Sequence, residues 1–140
     1  MNHIINVFWL AEEAWGLLCH FWPVTLAIVA TVVVTSVFNF PFLRSRFRRR
    51  HLLVFLPLGV SLLILVWGSL MRHTGQQGPA PDWVSRVIDG LLVAQLVSAI
   101  GVVCVLKGYR WFAAAAVLLE QWVGVAFASV AGMSVTGDWL

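Results

Sequence analysis

Charged residues are scarce in this chain. Of its 140 residues, 11% are Asp, Glu, Lys or Arg, whereas 61% are hydrophobic. A soluble globular domain carries about 25% charged residues, so this composition excludes an ordinary water-soluble domain. The sequence also lacks a Ser–His–Asp set, a phosphate-binding loop, an H-E-x-x-H motif and a pair of carboxylates suited to catalysis. We therefore predict a protein that is not an enzyme.

Cysteine is equally rare. Cys19 and Cys104 are the only two, and their separation fits neither a C-x-x-C motif nor a metal-ligand spacing. We predict no metal site and no cofactor. One alternative stays open, because His20 and His73 fall at a similar predicted depth, and facing imidazoles in a helical bundle ligate b-type haem.

Four long apolar runs account for most of the chain. An α-helix needs about 20 apolar residues to cross ~30 Å of hydrocarbon, and the runs are of roughly that length. We predict a single all-α transmembrane domain over residues 1–140, with four transmembrane helices in a compact bundle. The predicted spans are 17–40, 52–70, 83–106 and 111–133, with a basic loop at 41–51 and an outer loop at 71–82.

Local signals refine these boundaries. The segment before the first span, MNHIINVFWL, has apolar residues near helical spacing, which indicates either a short interfacial helix or an extension of that span. Pro57 and Gly59 predict a kink in the second span. Asp82 is the predicted N-cap of the third span, and the short KGYR connection predicts that spans three and four form an antiparallel hairpin.

The basic residues predict the orientation. Five of the nine Lys and Arg residues follow the first span, and two more, Lys107 and Arg110, follow the third. The positive-inside rule assigns these loops to the cytoplasm, so both termini are predicted to lie outside it, in an inner or plasma membrane. Anionic lipid headgroups, and not nucleic acid, are the expected partners of the arginine cluster. That cluster consists of Arg44, Arg46, Arg48, Arg49 and Arg50.

A carboxylate lies near the middle of the fourth span. Placing one at this depth costs about 3 kcal/mol on insertion scales, so Glu120 needs polar partners. At 1.5 Å per residue, one polar residue of each other span falls at a similar depth, ~13–16 Å from the cytoplasmic ends. The candidate polar or ion-binding residues are Glu120, Gln121, Gln95, Asp89, Ser61 and Thr31.

Small residues recur every four positions on the Glu120 face of the fourth span. Such ridges let helices approach closely in lipid. Two interpretations stay open: the ridges pack helices of one chain together, or they pack the chain against another protein. The small residues are Ala116, Gly124, Ala128 and Gly132 on span four, with a looser stripe of Gly90, Ala94, Ser98 and Gly101 on span three.

Three functional hypotheses follow. The first is a small membrane subunit that works by helix-mediated assembly, either as a homo-oligomer or with a partner membrane protein. The second is an oligomeric proton- or cation-conducting channel or transporter centred on Glu120, because carboxylates at this depth mark ion pathways. The third is a haem-binding electron-transfer subunit.

Overall fold

A computed structural model describes residues 3–46, 49–72, 81–106 and 110–137, with side chains for 5–38, 52–72, 81–106 and 110–137. Every regular element within these ranges is helical. The elements are α1 (His3–His20), α2 (Trp22–Arg46), a 3₁₀ segment (Arg49–Phe55), α3 (Leu56–Leu70), α4 (Asp82–Val105) and α5 (Arg110–Thr136). Most of the loop at 71–82 lies outside the described residues.

Several segments have the length and apolarity needed to cross a bilayer. Three qualify separately: Leu52–Leu70, Asp82–Val105 and Arg110–Thr136. A fourth span arises if the bent pair Ile5–His20 and Trp22–Phe38 counts as one. The prediction of an all-helical protein with segments of membrane-spanning length is therefore confirmed.

The first predicted span differs from the structure because it is broken. Residues 17–20 belong to α1, which also contains the apolar N-terminal segment, and α2 begins at Trp22. The two helices are bent by 90° relative to each other. Pro23 explains the break, because proline has no N–H to donate and its ring collides with the preceding helical turn. It is tolerated where a new helix starts.

The helix type changes next to Pro57, while the kink predicted there stays a prediction. The 3₁₀ segment ends at Phe55 and α3 begins at Leu56, so Pro57 occupies the first turn of α3. The N-cap prediction for the next helix is wrong by one residue: Pro81 is the N-cap and Asp82 is the first residue of α4. Asp82 still lies in the first turn, where the positive end of the helix dipole stabilises a carboxylate.

Helix α5 is the centre of the bundle and contacts all four other α-helices, α3 most extensively. Its close approach to α3 depends on a glycine. A Cβ added to Gly68 would lie 2.5 Å from Cβ and 2.7 Å from Cα of Ala131. One turn away on α5, the Ser134 hydroxyl donates to the Gly68 carbonyl at 3.2 Å. The predicted pairing of the last two spans is also present, since α4 packs against α5 as well as α3.

Helix α1 packs across the bundle through one face. Leu10, Ala14 and Leu18 form a buried cluster with Leu65, Ala126 and Val130 of α3 and α5. Beyond the end of α3, the Arg72 guanidinium donates to the Asn6 Oδ1 atom at 3.1 Å and lies 4.5 Å from the Trp9 ring centre. These contacts fix the N-terminal part of α1 to α3.

Candidate functional site

Glu120 lies inside the bundle, with only 8% of its surface exposed. Its carboxylate accepts a hydrogen bond from the backbone N–H of Leu58, the third residue of α3. N–H groups in the first turn of a helix have no carbonyl partner within that helix, and the positive end of the helix dipole attracts a carboxylate. The start of α3 thus supplies a donor to the carboxylate of α5.

Gln95 joins α4 to the same point of α5. Its side chain is fully buried, and its Nε2 atom donates to the Glu120 backbone carbonyl at 3.0 Å. In return, Gln121 Nε2 donates to the Gln95 carbonyl at 3.3 Å, and Ser98 Oγ donates to that carbonyl at 2.7 Å. Gly124 makes room for this arrangement, because a Cβ there would overlap the Gln95 amide.

Two oxygen atoms of this cluster have no hydrogen-bond donor. Glu120 Oε2 and Gln95 Oε1 are both buried, and neither has a partner. An unsatisfied buried polar atom costs about 1–3 kcal/mol, so two of them on adjacent helices are unusual in a folded protein. Ser61 is also fully buried, but its hydroxyl donates to the Pro57 carbonyl at 3.1 Å.

The structure brings together only some of the residues predicted to share a layer. Glu120, Gln95 and Gln121 form one hydrogen-bonded cluster, and Ser61 lies one turn beyond Leu58 on α3. Thr31 stands apart: it is exposed, and its hydroxyl donates to the Ala27 carbonyl of its own helix at 2.8 Å. Depth alone could not show this difference, because it leaves the direction of each side chain open.

Asp89 also lies outside the cluster. Its side chain is exposed and lines a groove of about 270 Å³ between the N-terminal half of α4 and the C-terminal half of α5, together with Ser85 and Ser129. Sequence reasoning missed the contribution of Leu58, because a backbone N–H carries no residue signature. Pro57 was the available signal, since proline marks the first turn of helices and hence a set of free N–H groups.

The two stripes of small residues have different environments. On α5, Gly124 and Ala128 are buried within the chain, and Ala116 and Gly132 are partly buried. On α4, by contrast, Gly90, Ala94 and Gly101 are exposed, and Ser98 is partly buried. A Cβ added to Gly90 or Gly101 would meet no atom within 4 Å. Gly124 and Ala128 therefore pack this chain's own helices together, whereas an added Cβ at Gly132 would meet no atom within 4 Å and the α4 stripe faces outward.

Some of the other predicted residues lie outside the ranges that the structure describes. Cys19 and Cys104 are free and exposed. The His20 side chain is exposed and packs edge-on against Phe21 at 5.2 Å, while His73, the other haem candidate, lies outside the described residues. The side chains of the arginine cluster at 44–50 also fall outside the described ranges, so their lipid contacts stay a prediction.

Comparison with known proteins found no relative of this chain. No family model matches the chain, and no match was found among curated proteins or solved structures.

Proposed function

We propose that this protein is a small non-enzymatic membrane subunit that assembles through the outward face of α4, either with itself or with a larger membrane complex. The observation that carries the proposal is the exposed stripe of Gly90, Ala94 and Gly101. These residues have no packing role inside the chain, unlike the buried small residues of α5.

The energetics of glycine support an intermolecular role for this stripe. Glycine within a helix costs roughly 0.5–1 kcal/mol relative to alanine, and α4 carries two glycines at exposed interior positions. In lipid, the gain that offsets such a cost is close contact between helix backbones. The adjacent Val93 and Val97 are more than half exposed, at 61% and 63%, so a partner helix would also cover these larger side chains.

The proposal places the protein in an inner (plasma) membrane with both termini on the non-cytoplasmic side. Its support is the distribution of basic residues, since seven of the nine fall in the loops after the first and third predicted spans. A C-terminal reporter enzyme that folds only outside the cytoplasm should be active. Activity of a reporter restricted to the cytoplasm would instead reverse the orientation.

Assembly is tested by blocking the α4 stripe. The variant carries Gly90→Leu and Gly101→Leu, and its intact mass is measured in mild detergent. We expect the variant to lose the complexes that the wild type forms, while its chain stays inserted and helical. Gly59→Leu is the matched control, because Gly59 is an exposed glycine of α3 with nothing within 4 Å of an added Cβ. Complexes of native mass in the double variant would contradict the proposal.

A proton- or cation-conducting channel or transporter is the second candidate, and the unpaired Oε2 atom of Glu120 favours it. Flux is measured in vesicles that contain the wild-type protein or Glu120→Gln. We expect ion flux from the wild type and none from the variant, with the helical content of both unchanged. Equal flux from both proteins would remove Glu120 from the pathway.

A further inference from the structure

The donors around Glu120 are directed at backbone carbonyls rather than at the two unpaired oxygens. Gln95 Nε2 donates to the Glu120 carbonyl, Gln121 Nε2 to the Gln95 carbonyl, and Ser61 Oγ to the Pro57 carbonyl. An ionised carboxylate is an acceptor only, and the amide Oε1 atom is also an acceptor. The cluster therefore contains two buried acceptor atoms that receive no hydrogen bond.

The surroundings of Glu120 favour a proton over a metal cation as the missing partner. A hard cation such as Ca²⁺ takes six to eight oxygen ligands, whereas this cluster has two unpaired buried oxygens. The start of α3 also directs the positive end of its dipole at the carboxylate, which opposes a second positive charge. A proton adds a donor, occupies little volume and removes the charge whose burial in a bilayer is costly.

Within the described residues, the helices packed against α5 place no charged side chain beside Glu120. Residues 22–38 of α2 and all of α3 contain none, and the described titratable side chains of α1 and α4 are exposed. Arg72 lies against Asn6 and Trp9. The 3₁₀ segment carries Arg49, Arg50 and His51, whose side chains lie outside the described ranges.

We infer that Glu120 is a proton-binding site within the bundle. In this arrangement one carboxyl oxygen keeps the Leu58 N–H, and the hydroxyl formed on Oε2 donates toward Gln95 Oε1. A single proton then provides the donor that both unpaired oxygens lack. The site goes beyond assembly, because it lies in the interior of one chain, and it does not require that protons cross the membrane.

Infrared spectroscopy of the purified protein tests this site directly. At neutral pH we expect a carboxylic-acid C=O band from the wild type that disappears in Glu120→Gln. The matched control replaces exposed Glu12 and Glu13 with Gln, which should leave the band intact. If neutral-pH spectra of the wild type and Glu120→Gln have the same acid region, Glu120 is ionised and the inference is overturned.

A second variant tests the role of Gln95 and does not depend on the folding of Glu120→Gln. Gln95→Met keeps the side-chain length and removes the Oε1 acceptor. We expect the acid band to move to higher frequency, because the hydroxyl loses its acceptor. An unmoved band would overturn the assignment of Gln95 as acceptor.

The same preparations distinguish a bound cation from a proton, and they separate this inference from the assembly proposal. If Na⁺, K⁺ or Ca²⁺ raises the melting temperature of the wild type but not of Glu120→Gln, a metal cation occupies the site and the inference fails. Equal melting temperatures with and without these ions support a proton. The intact mass should be the same in the Gln95→Met variant, because the cluster is internal to one chain.

Discussion

Helices α3, α4 and α5 pack closely against one another, whereas α2 packs loosely against the bundle. The first three meet through buried small residues and a buried amide, as at Gly68–Ala131 and Gly124–Gln95. None of the described side chains of α2 is buried, and most are exposed. The comparison shows that apolar composition alone does not produce close packing in this chain. Close packing occurs where glycine or alanine lets helix backbones approach, which is also how helices associate in lipid.

The junction of α1 and α2 is held by polar contacts instead. The Thr25 hydroxyl donates to the Leu18 carbonyl at 2.9 Å, and the Trp122 indole N–H donates to Thr25 Oγ1 at 3.0 Å. Trp122 follows Glu120 by two residues, which is ~3 Å along α5. The Thr25 hydroxyl thus satisfies a carbonyl near the break between α1 and α2, and the Trp122 indole N–H satisfies that hydroxyl.

The largest expected change in the free energy of unfolding comes from substituting a buried glycine, with an exposed glycine as the comparison. Gly68→Ala should lower the free energy of unfolding by about 1–3 kcal/mol, because the new methyl group collides with the backbone of Ala131. Gly59→Ala is the control and should raise it by roughly 0.5–1 kcal/mol through helix propensity, because Gly59 is exposed and an added Cβ there would meet no atom within 4 Å. Unfolding in mixed detergent measures both. Equal effects would contradict the tight α3–α5 contact.

Gly124→Ala should have the next largest effect, because its methyl group displaces the Gln95 amide. Loss of the Gln95–Glu120 hydrogen bond should cost about 1 kcal/mol. A double-mutant cycle with Gln95→Ala provides the control, since the shortened side chain leaves room for the new methyl group. Strict additivity of the two unfolding free energies would argue against direct contact between these positions.

Trp122→Phe should have a smaller effect, localised at the α1–α2 junction. It removes the indole donor to Thr25, at a cost of about 0.6 kcal/mol for an average hydrogen bond between membrane helices. Hydrogen exchange of amides near residues 21–25 should accelerate. Trp111→Phe is the control, since Trp111 is 82% exposed, and the same acceleration in both variants would contradict this role for Trp122.

A comparably small effect is expected at the N-terminal end of α1. Arg72→Gln removes a hydrogen bond to Asn6 and a cation–π contact with Trp9, at a combined cost of about 1 kcal/mol or less. Proteolysis near the start of α1 should become faster. The exposed Arg86→Gln provides the control, and similar cleavage of both variants would show that α1 does not depend on Arg72.

Part of the candidate site was accessible from the sequence. The depth of Glu120 and its pairing with Gln95 follow from the helix rise and the short connection between spans three and four, and the structure places these residues in contact. Thr31 illustrates the limit of depth matching, because a helix of the correct length can direct a residue at any angle. The break at Pro23 illustrates another limit, since a proline in a first turn is compatible with either a straight entry or a 90° bend.

The amino-acid sequence by itself determined the helical segments of membrane-spanning length and the presence of a carboxylate deep within one of them. Local composition suffices for both, because apolar length and residue identity are properties of the chain. Only the tertiary structure decided that Gly124 and Ala128 of α5 pack inside the chain while the small residues of α4 face outward. It also decided that Glu120 meets the start of α3. Both outcomes depend on the rotation of each helix about its axis, which is set by contacts between distant segments.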